Sequence, residues 1–268
     1  MMTNQRYKGR FILLAIIFLL VIALPLFINL GKLPIRIWDE ARLAINAYEM
    51  KKSGNLLVTS FEGSPDMWNT KPPLMIWLQS ASISFLGYNE FALRLPSAVA
   101  AFVTCILLVG FSKRAFNTFL PGVLASLVLV TINGYVHIHA ARTGDYDALL
   151  ALFTSGFLLA GFLFIETGKK KYLHLFFLCI ALALLTKSVQ GLIFLPGLGL
   201  YLVIQKKLML FLRNKWFYID ALLVIIFAGG YYFLRELYNP GYLQAIWENE
   251  LGGRYLNTLE ENKAGKGY

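Results

Sequence analysis

The apolar residues of this chain come in blocks, and block length constrains its fold more than any other feature. Crossing about 30 Å of hydrocarbon takes about 20 helical residues at about 1.5 Å each. Blocks of about that size run at Phe11–Asn29, Leu95–Phe111, Leu120–His139, Leu149–Ile165, Tyr172–Thr186, Val189–Ile204 and Ile219–Leu234. They predict an all-α polytopic transmembrane helical bundle of about seven spans. With 57% hydrophobic and 15% charged residues among 268, the composition excludes an ordinary soluble domain, which carries about 25% charged residues. No small-x-small cleavage site follows the first block, so it reads as a retained helix rather than a signal peptide. Cys105 and Cys179 lie inside apolar runs and read as small core residues rather than disulfide or metal chemistry.

Orientation follows from the basic residues of the short loops. Arg6, Lys8 and Arg10 precede the first span. Lys113 and Arg114 follow the second, Lys169 to Lys171 the fourth, and Lys206, Lys207, Arg213 and Lys215 the sixth. A cytoplasmic N-terminus puts all four groups inside, accompanied only by the acids Glu166 and Asp220. The formal excess of +10 is then a membrane-orientation signal. The lysine run at Lys169 is an anchor, not a nucleic-acid surface. The remaining carboxylates fall outside, at helix ends and in one long loop, where a carrier would instead place ionisable groups near the midplane.

That loop, residues 31–94, is too long for a simple connection. From Asp39 to Met50 a helical period puts Asp39, Arg42, Asn46 and Glu49 on one polar stripe, and Leu43, Ala44, Ala47, Tyr48 and Met50 opposite. This predicts an interfacial amphipathic helix, with Glu40 turned toward its apolar side. Two acids at a helix start also have a simpler reading, as partners of the helix dipole. After a polar stretch from Thr59 to Thr70, Lys71-Pro72-Pro73 introduces another apolar helix, because prolines suit a helix start. Lys71 is then either a phosphate ligand beside free N–H groups or a lysine snorkelling beside Trp68 and Trp77. Downstream, Asp145-Tyr146-Asp147 is a D-x-D string that reads as helix-terminal acids or as part of a site. His137-x-His139 reads first as a pair of interfacial structural histidines, since the two could reach one metal ion only where the helix has ended.

Taken in order, Trp38-Asp39-Glu40-Ala41-Arg42, Lys71-Pro72-Pro73-Leu74, Arg94-Leu95-Pro96-Ser97, Asp147-Ala148-Leu149-Leu150, Leu185-Thr186-Lys187 and the stretch from Trp247 to Tyr255 resemble the bacterial GT-C glycosyltransferases, the group of the protein O-mannosyltransferases and the lipid A aminoarabinose transferase. The resemblance implies an enzyme of the cytoplasmic (inner) membrane that moves a sugar from a polyprenyl-phosphate donor to lipid A, a protein or a glycan at the outer, periplasmic face. It implies Asp39 as general base with Glu40 beside it, and Lys71, Arg94 and Arg254 as ligands of the donor phosphate. Arg42, Asp145, Asp147, Lys187 and Glu250 are further active-site candidates. Partial burial and the like charge of Glu40 are expected to tune Asp39. The scheme requires no covalent nucleophile and no cofactor, and the partners are the lipid-linked donor, its acceptor and membrane lipids. The resemblance gives a divalent metal only weak support and argues against that exact substrate, because relatives of the aminoarabinose enzyme often carry a glutamate, implicated in metal binding, where this chain has Thr70; Ser188, where relatives commonly have glycine, is a separate departure. The chain is expected to be the N-terminal module, residues 1–268, with an outer loop at 31–94, a polar outer segment at 235–268 and the family's C-terminal half absent. The alternative is a non-catalytic membrane protein, a carrier or an inactive GT-C module.

Overall fold

The computed structural model describes residues 2–137 and 139–252. Its helices are α1 (Met2–Phe27), α2 (Asp39–Ser53), α3 (Leu74–Leu86), α4 (Glu90–Phe116), α5 (Leu120–Thr131), α6 (Asn133–Val136), α7 (Asp147–Thr167), α8 (Lys170–Lys187), α9 (Leu195–Ile204), α10 (Leu208–Leu212), α11 (Lys215–Val224), α12 (Gly230–Tyr238) and α13 (Tyr242–Ile246). A two-residue hairpin, β1 (Ser60–Phe61) against β2 (Ser64–Pro65), is antiparallel. Among the described residues, five helical segments are long and apolar enough to cross a membrane: Gly9–Phe27, Glu90–Phe116, Asp147–Thr167, Lys170–Leu192 and Lys215–Tyr238. The last joins α11 to α12 through a wide helical turn at Ile225–Gly229.

Two of the expected spans are shorter than their apolar blocks. Leu120–His139 breaks after Thr131, where Ile132 turns extended ahead of Asn133-Gly134, so α5 covers about 18 Å at 1.5 Å per residue. A β-branched stretch meeting an Asn-Gly pair is a poor helix continuation. Val189–Ile204 opens as a short 3₁₀ turn at Ser188–Leu192 before α9 begins.

Helices α4, α5, α7 and α8 form the centre, with α3 and α2 stacked over the start of α4. Close approach depends on small residues, as in other helix pairs without a hydrophobic driving force from water. A Cβ on Gly122 of α5 would lie 2.5 Å from the α4 backbone at Leu108 and Val109. Pro96, near the start of α4, lacks the N–H that would bond the Ala92 carbonyl. The hydroxyl of Ser82 on α3 donates to that carbonyl instead, at 2.6 Å, which ties the two helices where the site begins.

Candidate active site

The functional candidates gather at one end of the bundle, where α2, the hairpin and the loop between α6 and α7 meet. The amphipathic reading of α2 holds for its apolar side: Leu43, Ala44, Ala47 and Met50 are buried, and so is Glu40. Asn46, expected on the polar stripe, is also buried, because its amide donates to the Ser60 carbonyl (2.6 Å) and to Asp66 (3.0 Å). The helix packs on α3 and on β1.

Glu40 and Arg94 form a closed clamp, 4% and 2% exposed. Arg94 donates from Nε to Glu40 Oε1 (2.6 Å), from Nη2 to Oε2 (3.0 Å), and to the carbonyls of Leu30 (2.9 Å), Leu33 (2.8 Å) and Pro34 (2.9 Å). All five guanidinium N–H groups thus have partners. The N–H groups of Arg36 and Gly144 complete the carboxylate, each at 2.8 Å. Burial alone would raise the Glu40 carboxyl, but the bonds from Arg94, Arg36 and Gly144 outweigh it and hold it below the usual range. Both residues therefore differ from the sequence expectation. Arg94 has no donor left for a phosphate, and Glu40 has no lone pair facing the cavity chemistry. They pin the entry of α2 to α4. Gly144 is required here, since a Cβ would lie 2.9 Å from the Gln79 amide nitrogen and 3.2 Å from the Leu93 carbonyl.

Asp39, the preceding residue, points the other way. Its side chain is 65% exposed, so the partial burial expected for it is absent, and the charge of Glu40 is already balanced by Arg94. It lines two recesses. One is a cavity of about 420 Å³ shared with Arg36, Glu40, His139, Thr143 and Asp145. The other, about 300 Å³, is walled by Trp38, Ile45, Phe61 and Trp68 and edged by Arg42.

Within the first cavity His139 Nδ1 lies 2.8 Å from Asp145 Oδ2 and 3.7 Å from Asp39 Oδ2. The helix has ended at Val136, and His139 adopts φ +61°. His137 points elsewhere, with Nδ1 3.4 Å from Arg36 Nη2. Asp145 is buried, and that burial raises its carboxyl above the usual range although His139 and the Tyr146 N–H bond it.

Other candidates lie around this centre in separate contacts. Lys71 holds Glu250 at 3.3 Å, Thr70 Oγ1 sits 3.5 Å from the same Oε1, and the Lys71 ammonium lies 5.6 Å from the centroid of the Tyr146 ring. A carboxylate thus stands beside Thr70 after all, supplied from the distant Trp247–Leu251 turn. Asp147 and Lys187 pair with each other across α7 and α8. Arg42 forms a two-pronged bond to Asp66 (2.9 and 2.7 Å) and stacks on Phe61, so it braces the loop rather than facing the cavity alone. Arg254 lies outside the described residues.

Sequence reasoning missed the polar lattice under the loop. Asp66 accepts from Arg42, from Asn46 and from the N–H groups of Trp68 and Asn69. Burial would raise it, but those bonds prevail and lower it. Asn69 donates to the buried Tyr146 hydroxyl at 2.9 Å. Arg235, fully buried on α12, donates to the carbonyls of Leu57, Thr59 and Asp66. One signal was present, the Asp-x-x-Asn spacing of an Asx turn at Asp66; Arg235 fell just past the last apolar block and entered the span only with the helix that runs on to Tyr238.

The fold is a membrane-type polytopic helical bundle with a helical loop folded over one end and an exposed aspartate at the start of the loop helix. The family described as dolichyl-phosphate-mannose-protein mannosyltransferase matches residues 70–230, and the chain belongs to it. A protein of Aquifex aeolicus is 26% identical over 79% of this chain and 41% of its own length. The undecaprenyl phosphate-alpha-4-amino-4-deoxy-L-arabinose arabinosyl transferase of Shewanella sediminis is 29% identical over 77% of this chain and 39% of its own. Among solved structures, ArnT from Cupriavidus metallidurans bound to undecaprenyl phosphate superposes with a TM-score of 0.70 at 19% identity, over 89% of this chain and 44% of ArnT. The chain spans less than half the length of these relatives.

Proposed function

We propose that this chain forms the catalytic membrane module of a glycosyltransferase that moves a sugar from a polyprenyl-phosphate donor to an acceptor hydroxyl on lipid A, a protein or another glycan. The basic loops assigned to the cytoplasmic side support action at the outer face of the cytoplasmic membrane. The carrying observation is that one exposed carboxylate, Asp39, is common to two recesses, as a base between donor and acceptor must be. Family membership and the undecaprenyl-phosphate names of the relatives support the donor class.

In this reading Asp39 takes the proton of the acceptor hydroxyl as that oxygen bonds the anomeric carbon. The bond from carbon to phosphate oxygen breaks, and polyprenyl phosphate leaves with the electron pair. A base of this kind contributes about 10²–10⁴-fold. Lys71 is the cation for the leaving phosphate, with Glu250 holding its ammonium in place until the phosphate competes for it. Asp147 and Lys187 fix α7 against α8 behind the D-x-D string.

The test is direct. Purified chain in lipid nanodiscs is given undecaprenyl-phosphate-linked pentose or hexose with membrane acceptors, and free undecaprenyl phosphate is measured. Acceptor-dependent release is expected. A folded chain that neither binds undecaprenyl phosphate nor releases it from any donor overturns the reading.

A further inference from the structure

A separate cavity, of about 590 Å³, opens at the end of the bundle away from Asp39, and Lys170, Arg213, Lys215, Trp216, Met209 and Leu210 line it. Its place follows from the chain path. Helix α8 runs from Lys170 to Lys187, which pairs with Asp147 beside the site. Helix α11 packs along α8 and continues through α12 to Arg235 beneath the hairpin. Both helices therefore start at the far end. Three cations meet there without an anion: among the described residues none of Lys170, Arg213 and Lys215 has an ion-pair partner, and no carboxylate lines the cavity. Asp220, the one acid of α11, is buried and already bound to His174, with 2.7 Å between Oδ2 and Nδ1. The His174 ring in turn meets the Trp216 ring edge-on, with centroids 5.2 Å apart, which fixes the indole. The ammonium groups of Lys170 and Lys215 each lie 5.8 Å from the centroid of that indole. Two like charges brought to one ring repel each other, and an exposed ring returns only a weak attraction. An anion between them removes that cost.

We infer that this cavity binds the headgroup of an anionic phospholipid, with Lys170, Arg213 and Lys215 around its phosphate. Charge complementarity selects the anion: an arginine fork suits two phosphate oxygens, and a lysine acts as a point charge beside them. The apolar side chains select a lipid over a free ion. Met209 and Leu210 are 56% and 36% exposed and line the same cavity as the cations, so they give the glycerol and the first acyl carbons an apolar surface next to the charges. The cavity lies on the side that the basic loops assign to the cytoplasm, where pockets between spans take anionic headgroups. An anchor of scattered lysines feels only the average charge of a leaflet, whereas three cations around one cavity hold one lipid per chain. That lipid bridges the starts of α8 and α11, far from the sugar-transfer site.

Lipid binding is read without any sugar donor, so it can fail or succeed independently of the proposed transfer. The full chain in neutral detergent, at about 0.15 M salt to screen loose surface attraction, is mixed with equal amounts of phosphatidylglycerol and phosphatidylcholine and followed by native mass spectrometry. One phosphatidylglycerol per chain should be retained in preference to phosphatidylcholine. Lys170→Gln combined with Lys215→Gln changes two exposed side chains and should lower that retention at least about tenfold, and Arg213→Gln alone about fivefold. Lys206→Gln combined with Lys207→Gln removes the same charge from the same end but outside the cavity, and should leave retention unchanged. Equal retention of the two lipids overturns the inference, as does an equal loss in the two double variants, which would assign the effect to general surface charge. Displacement of the lipid by millimolar inorganic phosphate also overturns it, because the site would then be one for a free anion.

Discussion

Asp39 and Glu40 are neighbours in the chain, yet they belong to two regions of opposite character. Beneath α2 lies a closed layer: Glu40 and Arg94 satisfy each other, and the surrounding backbone takes up every remaining donor and lone pair. Above it lies an open mouth, where Asp39, His139 and Asp145 line a cavity of about 420 Å³. Saturated ionic groups hold an element in place, and unsaturated ones are available for chemistry. A helix period of about 100° per residue is enough to send two adjacent acids to the two sides.

The largest effect should come from breaking the closed layer. Arg94→Met leaves Glu40 buried without its cation, a change that costs about 3–5 kcal/mol at buried pairs. Thermal unfolding in nanodiscs should show a large drop, and a wild-type transition would mean that the clamp does not hold α2. Next in size is the phosphate cation. Lys71→Ala should raise the apparent KM for a polyprenyl-phosphate sugar by about tenfold, near the 1.5–3 kcal/mol of a hydrogen bond to a charged group. Glu250→Gln should move it the other way by freeing the ammonium. An unchanged KM in Lys71→Ala would return the lysine to the snorkelling reading.

The smallest effect concerns pH. Asp66 has a carboxyl lowered in the folded loop, so its contribution is complete above its ordinary pKa of 3.8 and is lost as pH falls below that toward the lowered value. Hydrogen exchange of residues 60–69 should therefore stay protected at neutral pH and rise below about pH 4. Asp66→Asn should remove that pH step; a step of the same size in the variant would assign it to other groups.

Much of the fold was legible because a membrane helix announces itself by length and hydropathy. Helices α1, α4, α7 and α8 and the joined α11 and α12 all lie over predicted blocks. The break inside Leu120–His139 was marked only by its Asn133-Gly134 pair, and nothing local marked the 3₁₀ opening of Val189–Ile204. At the site, order along the chain singled out Asp39, Glu40 and Lys71 as candidates, and the helical period turned Glu40 inward. What the period could not give was the partner. Arg94 is as far from Glu40 in sequence as a loop of residues 41–93, and nothing local distinguishes a cation aimed at a phosphate from one aimed at a buried glutamate. The same limit hid Glu250 beside Lys71 and Arg235 beneath the hairpin. His139 was legible only as a conditional, because its meeting with Asp145 depends on where α6 stops.

The division of labour between the two adjacent acids is tested most directly by a paired measurement of transfer and unfolding on Asp39→Asn and Glu40→Gln in the same nanodisc preparation. Asp39→Asn should keep the wild-type unfolding transition while sugar release falls by about 10²–10⁴-fold, and Glu40→Gln should lower the transition itself. Wild-type transfer by a folded Asp39→Asn protein, or a Glu40→Gln protein of unchanged stability, would contradict the account.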